Sequence, residues 1–143
     1  DRRVVGDGWR SIHRLRMILG IDLGQKTTGL AISSGELASP YTTITHKNME
    51  QAATSLIRII EQEGIDTVVI GFVEGKIKKF FEDFATSLKR QNPSVEIVLW
   101  DETLTSRQAK DNMIKLHVPK MKRRSKEHEM AASFILQSYL DSQ

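Results

Sequence analysis

The chain contains no cysteine, which excludes disulfides, thiolate metal sites and a cysteine nucleophile at once. It has no apolar run long enough to cross a bilayer and no apolar stretch behind its basic start, so neither a membrane span nor a secretory signal is expected. The expectation is a soluble protein inside a cell, with no membrane partner. Internal repeats and low-complexity tracts are absent too, and Pro119 with its neighbours is the only linker-like stretch in the core. A chain of 143 residues is about one domain, able to bury a core without staples.

An excess of one charge is also scarce once it is located. The formal net charge is +3, but residues 1–16 hold five Arg and two Asp, and the remainder holds sixteen basic and sixteen acidic residues. Local clustering, not bulk charge, must therefore carry any argument for a polyanionic partner. Residues 1–16 use only Arg as a cation and show no helical or alternating period, while Met17 stands directly before the first strand. They are expected to be a disordered extension or expression remnant, or alternatively an Arg-rich organellar targeting remnant, leaving 17–143 as the domain.

The chain is organised around Met17 to Ser33, MILGIDLGQKTTGLAIS. Its apolar start, glycine-bearing turn and second apolar run predict a strand, a tight turn and a returning antiparallel strand, with Asp22 at the mouth of the first. A carboxylate ending a buried strand is costly unless paired or bound to a cation. Gly24 and Gly29 are expected to let backbone pass close to whatever Asp22 holds.

Further on, Ser39 to His46 alternates as a third strand, with Pro40 confining it to an edge. Asn48 and Gln51 resemble a capping box before a helix whose apolar residues, Met49 to Ile60, recur at helical spacing up to Gly64. The continuous run TVVIGF, Thr67 to Phe72, predicts a strand covered on both faces. Ile77, Phe80, Phe81, Phe84 and Leu88 mark a second helix, Val95 to Trp100 a further strand, Thr105 and Gln108 the cap of a third helix, and about Lys126 to Leu140 a last one. The order predicts one α/β domain: a mixed five-stranded sheet with an antiparallel N-terminal hairpin and helices on both faces.

Sites in such sheets form at the carboxyl ends of strands, where Asp22 and the pair Asp101-Glu102 both lie. Converged carboxylates repel, and Mg²⁺ or Mn²⁺ would neutralise them. Two such ions can activate a water and stabilise a leaving oxygen in phosphodiester hydrolysis. Glu102 is equally read as a solvated acid favoured by a helix dipole. His128 opens the last helix between Glu127 and Glu129, where a histidine is ordinarily surface, and successive helical residues point about 100° apart, so at most one of the three faces a site. The segment holding Lys115, Lys120, Lys122, Arg123, Arg124 and Lys126 has no acid and no aromatic among its cations. It is either a solvated loop or a track for a phosphate backbone without base stacking. Lys26 and Thr27 either meet a phosphate or merely complete the hairpin turn.

Taken together, MILGIDLGQKTTGLAIS, TVVIGF, VEIVLWDETLTSRQA and KMKRRSKEHEMAASFILQSYLDS resemble, in order and spacing, the bacterial YqgF family, also called RuvX. The resemblance covers Met17 to Ser142. It implies an RNase H-like, Holliday-junction-resolvase-like fold and a metal-dependent nuclease of the bacterial cytoplasm that matures the 5′ end of pre-16S ribosomal RNA. Asp22 matches the family's first-strand aspartate, and Asp101-Glu102 its acidic pair, with Thr103 where arginine is common. The implied set is catalytic Asp22, Asp101, Glu102 and His128; metal-binding Asp22, Asp101 and His128; nucleic-acid-binding Lys26, Lys120, Lys122, Arg123, Arg124 and Lys126. Two departures stand out: His128 occupies the family's usual aspartate position, and Val73 to Lys76 shortens a loop that is usually rich in Pro, Asn and Gly. Imidazole suits Mn²⁺ or a transition metal better than Mg²⁺.

Three alternatives accompany this reading. A resolvase cutting branched DNA would need a symmetric dimer, whereas RNA processing admits a monomer. The histidine and the short loop suit a catalytically impaired nucleic-acid-binding module. Asp22-Leu23-Gly24 with Thr27-Thr28-Gly29 also resembles the first phosphate loop of the actin and sugar-kinase ATPases, but those close two domains over ATP and this chain has room for one.

Overall fold

The computed structural model describes residues 16–73, 78–102 and 127–143. Five strands form one sheet: β1 (Ile18–Asp22), β2 (Thr27–Ser33), β3 (Ser39–Thr45), β4 (Thr67–Phe72) and β5 (Glu96–Asp101), in the spatial order β3-β2-β1-β4-β5. β1 is central, antiparallel to β2 and parallel to β4, and β4 is parallel to β5. Strand order therefore reverses at β1, and Asp22 sits at its carboxyl end, where α/β sheets place their ligands.

The mixed sheet, its N-terminal hairpin and the helices on both faces are as the sequence predicts. Helix α1 (Met49–Glu63) follows β3 and α2 (Lys78–Gln91) follows β4. Their apolar stripes, with Leu56, Ile60, Phe81, Phe84 and Leu88, cover one face of the sheet against Leu19, Ile21, Leu30, Val68 and Ile70. Helix α3 (Glu127–Asp141) covers the other, with Ala132, Ile135, Leu136 and Tyr139 against Ile18, Ala31 and Val69. Among the described residues no helix is long and apolar enough to cross a membrane. The helix predicted from Thr105 lies outside the described residues.

Local chemistry sets the boundaries. Asn48 caps α1 by accepting the Gln51 N–H at 2.9 Å. The reciprocal arm reaches one residue further back than a capping box requires, with Gln51 Oε1 accepting the Lys47 N–H at 2.8 Å. Gly64 ends the helix at φ 63°, a left-handed conformation that glycine adopts without a Cβ clash. Pro40 does lie on an edge strand, beside a register shift between Leu30 and Ala31 that leaves Tyr41 unmatched, so its missing N–H interrupts no central ladder. Arg16, the last residue of the segment set apart above, is tied down: its guanidinium donates to Glu96 Oε1 at 2.8 Å and to Thr67 Oγ1 at 2.8 Å.

Candidate functional site

The register lays a row of residues across the sheet at Asp22. Thr43 of β3 pairs with Gly29 of β2, Gly29 with Asp22, Asp22 with Gly71 of β4, and Gly71 with Trp100 of β5. Residues directly opposite one another share a face. Two positions back along β1, Gly20 looks at α3, where a Cβ would stand 2.7 Å from Leu136 Cβ and 3.0 Å from the Ala132 carbonyl oxygen. Asp22 has the same parity as Gly20, so its side chain projects to the α3 face.

Both neighbours of Asp22 are glycines, and each leaves room for a different group. A Cβ on Gly71 would lie 3.0 Å from Glu102 Cγ and 3.0 Å from Glu102 Oε1, so the Glu102 carboxylate occupies the space beside Asp22. A Cβ on Gly29 would overlap the main-chain carbonyl of His128. The first turn of α3 therefore rests one ladder position from Asp22, and the positive end of its dipole favours the nearby carboxylate. Gly29 and Gly24 do let backbone pass close, each in its own way. The first admits helix backbone, and the second avoids the Thr27 carbonyl within its own turn.

The pleat separates the adjacent acids. Asp101 pairs with Phe72, whose side chain belongs to the core under α1 and α2, so Asp101 is directed to that face and Glu102 to the face of Asp22. His128 and Glu127 are exposed on the first turn of α3. Glu129 turns toward β3, where its Oε2 accepts the Thr43 hydroxyl at 3.1 Å. Gln137 secures the same helix further along, accepting the Ala38 N–H at 2.9 Å. Lys26 is exposed in the turn after β1. Lys120, Lys122, Arg123, Arg124 and Lys126, and most of the shortened loop after Val73, lie outside the described residues.

Among the described residues, no three His, Asp or Glu side chains gather closely enough to hold one metal ion. What the sheet does assemble is a pair of carboxylates, Asp22 and Glu102, on one face. That donor set fits Mg²⁺, which keeps several waters and commonly takes one or two protein carboxylates together with substrate phosphate oxygens. Glu129 and Thr43 form a contact that sequence pattern did not signal, because hydroxyls on an edge strand carry no helical or alternating mark.

The family described as RuvX, Holliday junction resolvase, matches residues 16–142. A protein of Staphylococcus saprophyticus named "Putative pre-16S rRNA nuclease" is 36% identical over 135 residues, spanning 87% of this chain and 95% of its own length. One of the same name from Clostridium acetobutylicum is 37% identical over 137 residues, spanning 87% and 98%. In fold, the chain is similar to the fowlpox virus Holliday junction resolvase, with a TM-score of 0.57 at 15% identity over 89% of this chain and 99% of that one. It is likewise similar to Thermus thermophilus RuvC in complex with a Holliday junction substrate, with a TM-score of 0.59 at 13% identity over 89% and 94%.

Proposed function

The chain belongs to the RuvX family, whose members are nucleases hydrolysing phosphodiester bonds, and we propose that it is a metal-dependent endonuclease acting on the 5′ end of pre-16S ribosomal RNA. The observation that carries this reading is the convergence of Asp22 and Glu102 on one face at the strand-order reversal, with glycine on each side of Asp22. The name borne by relatives 36–37% identical supports the choice of RNA.

In this reading Asp22 and Glu102 would hold Mg²⁺ or Mn²⁺ together with substrate phosphate oxygens, and the His128 imidazole, exposed on the first turn of α3, is not gathered with them in the way the sequence suggests. Such an ion, when bound, would supply a water acidified toward neutral pH and positive charge against the leaving oxygen. The protein's own part is placement. Gly71 keeps the Glu102 carboxylate close to Asp22, and Gly29 seats α3 so that the helix N-terminus faces the site. Asp101, on the opposite face, stands outside the metal-holding pair. Lys26 at the turn, with Lys120, Lys122, Arg123, Arg124 and Lys126, contacts substrate phosphates. The protein works in the cytoplasm, where its substrate is made.

The test is cleavage of a labelled RNA spanning the leader and the 5′ end of 16S, beside a labelled four-way DNA junction, in Mg²⁺ and in Mn²⁺. Wild type should cut the RNA, and Asp22→Asn should lose about 10²- to 10³-fold, the order seen when one group stabilising a transition state is removed. Its melting temperature should hold or rise, because removing one charge from a carboxylate pair relieves repulsion. Cutting of the junction alone, by a dimer, would replace RNA with branched DNA. RNA binding without cleavage in either ion would make the protein a binding module.

A further inference from the structure

Beside the turn that follows Asp22, on the face away from its carboxylate, lies a buried histidine that the nuclease reading does not use. His46 is 6% exposed at the end of β3. Its Nε2 stands 2.8 Å from Thr28 Oγ1, itself fully buried. Thr28 Oγ1 also accepts the Gly24 N–H at 3.4 Å, and the main-chain N–H of His46 donates to the Lys26 carbonyl at 2.9 Å. The four-residue turn that follows Asp22, Leu23 to Lys26, is thus held by two bonds, at Gly24 by the Thr28 hydroxyl that the His46 ring fixes and at Lys26 by the His46 main-chain N–H.

The other ring nitrogen, His46 Nδ1, is buried with no hydrogen-bond partner among the described residues. A side chain kept in a core with half of its polar capacity unmet is not the choice that stability alone would make, since an apolar residue would leave nothing unpaired. The Nε2–Oγ1 hydrogen bond forms in either tautomer, with Thr28 Oγ1 accepting when Nε2 carries the proton and donating when Nδ1 does.

We infer that His46 and Thr28 form a positioning brace: through Gly24 and Lys26 they fix the turn after β1, and with it the orientation of Asp22 and the phosphate-facing Lys26. This rests on the nuclease reading for its catalytic consequence but not for the brace itself. Neither residue touches substrate or metal. Their effect passes through the turn, on the opposite side of the sheet from the carboxylates, and a displacement of about 1 Å at a reacting group is enough to lose about 10²-fold in rate.

Two readouts on the full chain test it. Amide hydrogen exchange at Gly24 and His46 reports the brace directly. Single-turnover cleavage at saturating RNA, with RNA affinity measured separately, reports its consequence. Thr28→Val should speed Gly24 exchange about tenfold while core amides such as Leu30 and Ile70 keep their protection, and it should lower the cleavage rate by about 10- to 100-fold with affinity changed less than about threefold. Thr28→Ser and His46→Gln, which keep a hydroxyl at Oγ and a hydrogen-bonding amide near Nε2, should keep most of the rate. The double variant Thr28→Val with His46→Leu keeps the packing and removes both partners, so it should melt close to wild type and still cut slowly. Unchanged Gly24 exchange in folded Thr28→Val overturns the brace, and so does a wild-type cleavage rate in that variant. Loosened exchange in a protein whose wild type cuts neither RNA nor junction would uphold the brace and remove the nuclease reading instead.

Discussion

The two faces of the sheet are built from opposite materials. Between the sheet and helices α1 and α2 lie large side chains, Leu19, Ile21, Leu30 and Ile70 from the strands and Leu56 and Phe84 from the helices, each removed from water and each worth about 1.5–3 kcal/mol on burial. Under α3, beside the apolar Ile18 and Val69, the sheet presents Gly20, Gly29, Ala31 and Gly71, so at those positions the helix descends onto backbone and is located by contact with it. One face is thick and supplies stability. The other is thin, and its thinness sets the distance between Asp22, Glu102 and the start of α3 with little freedom to adjust. A change on the first face should therefore act on folding, and a change on the second on placement.

The contrast breaks if the two faces respond alike. Leu56→Ala, opening a cavity in the thick core, should cost about 2–5 kcal/mol in chemical denaturation while the folded fraction cuts at the wild-type rate. Gly29→Ala should cost a similar amount, about 3 kcal/mol, because the methyl overlaps the His128 main-chain carbonyl and α3 must be displaced to admit it, and that displacement should also remove most cleavage. Equal losses of activity per unit of stability in the two variants would erase the distinction.

A finer comparison lies within one dipeptide. Glu102→Gln should lower the cleavage rate by about 10²-fold, whereas Asp101→Asn, one residue earlier and on the other face, should lower it by less than about tenfold. Kinetics at saturating metal ion would decide the order, and a larger loss at Asp101 would place the metal-binding acid on the wrong side of the sheet. The smallest effect belongs to a residue far from both faces' contact rows. Asn48→Ala should cost about 1 kcal/mol through the lost cap and leave cleavage untouched.

Much of this was legible in the chain. The cap at Asn48, the stop at Gly64, the edge position of Pro40 and the strands TVVIGF and VEIVLW are local statements, made by residues within a few positions of one another. The acids at strand ends were legible for the same reason. Their sidedness was not. β4 is buried along its whole length and β5 carries apolar residues at successive positions from Ile97 to Trp100, so neither shows the alternation that would tell Asp101 from Glu102. Gly29 was legible as a place of close backbone approach, but not which backbone approaches, because the His128 carbonyl that fills it is ninety-nine residues away in the chain. His46 looked like a strand end because only the closed hairpin brings it to Thr28.

By itself, then, the sequence determined which segments become helix or strand, where they stop, and the resemblance of the whole to one nuclease family, since propensity, capping and periodicity act over a few residues. Only the tertiary structure decided which carboxylate joins Asp22, which glycine receives α3, and that a buried histidine holds the turn behind the site. Those choices depend on strand register and pleat parity, which are set by contacts between residues far apart in the chain and leave no mark on any short stretch of it.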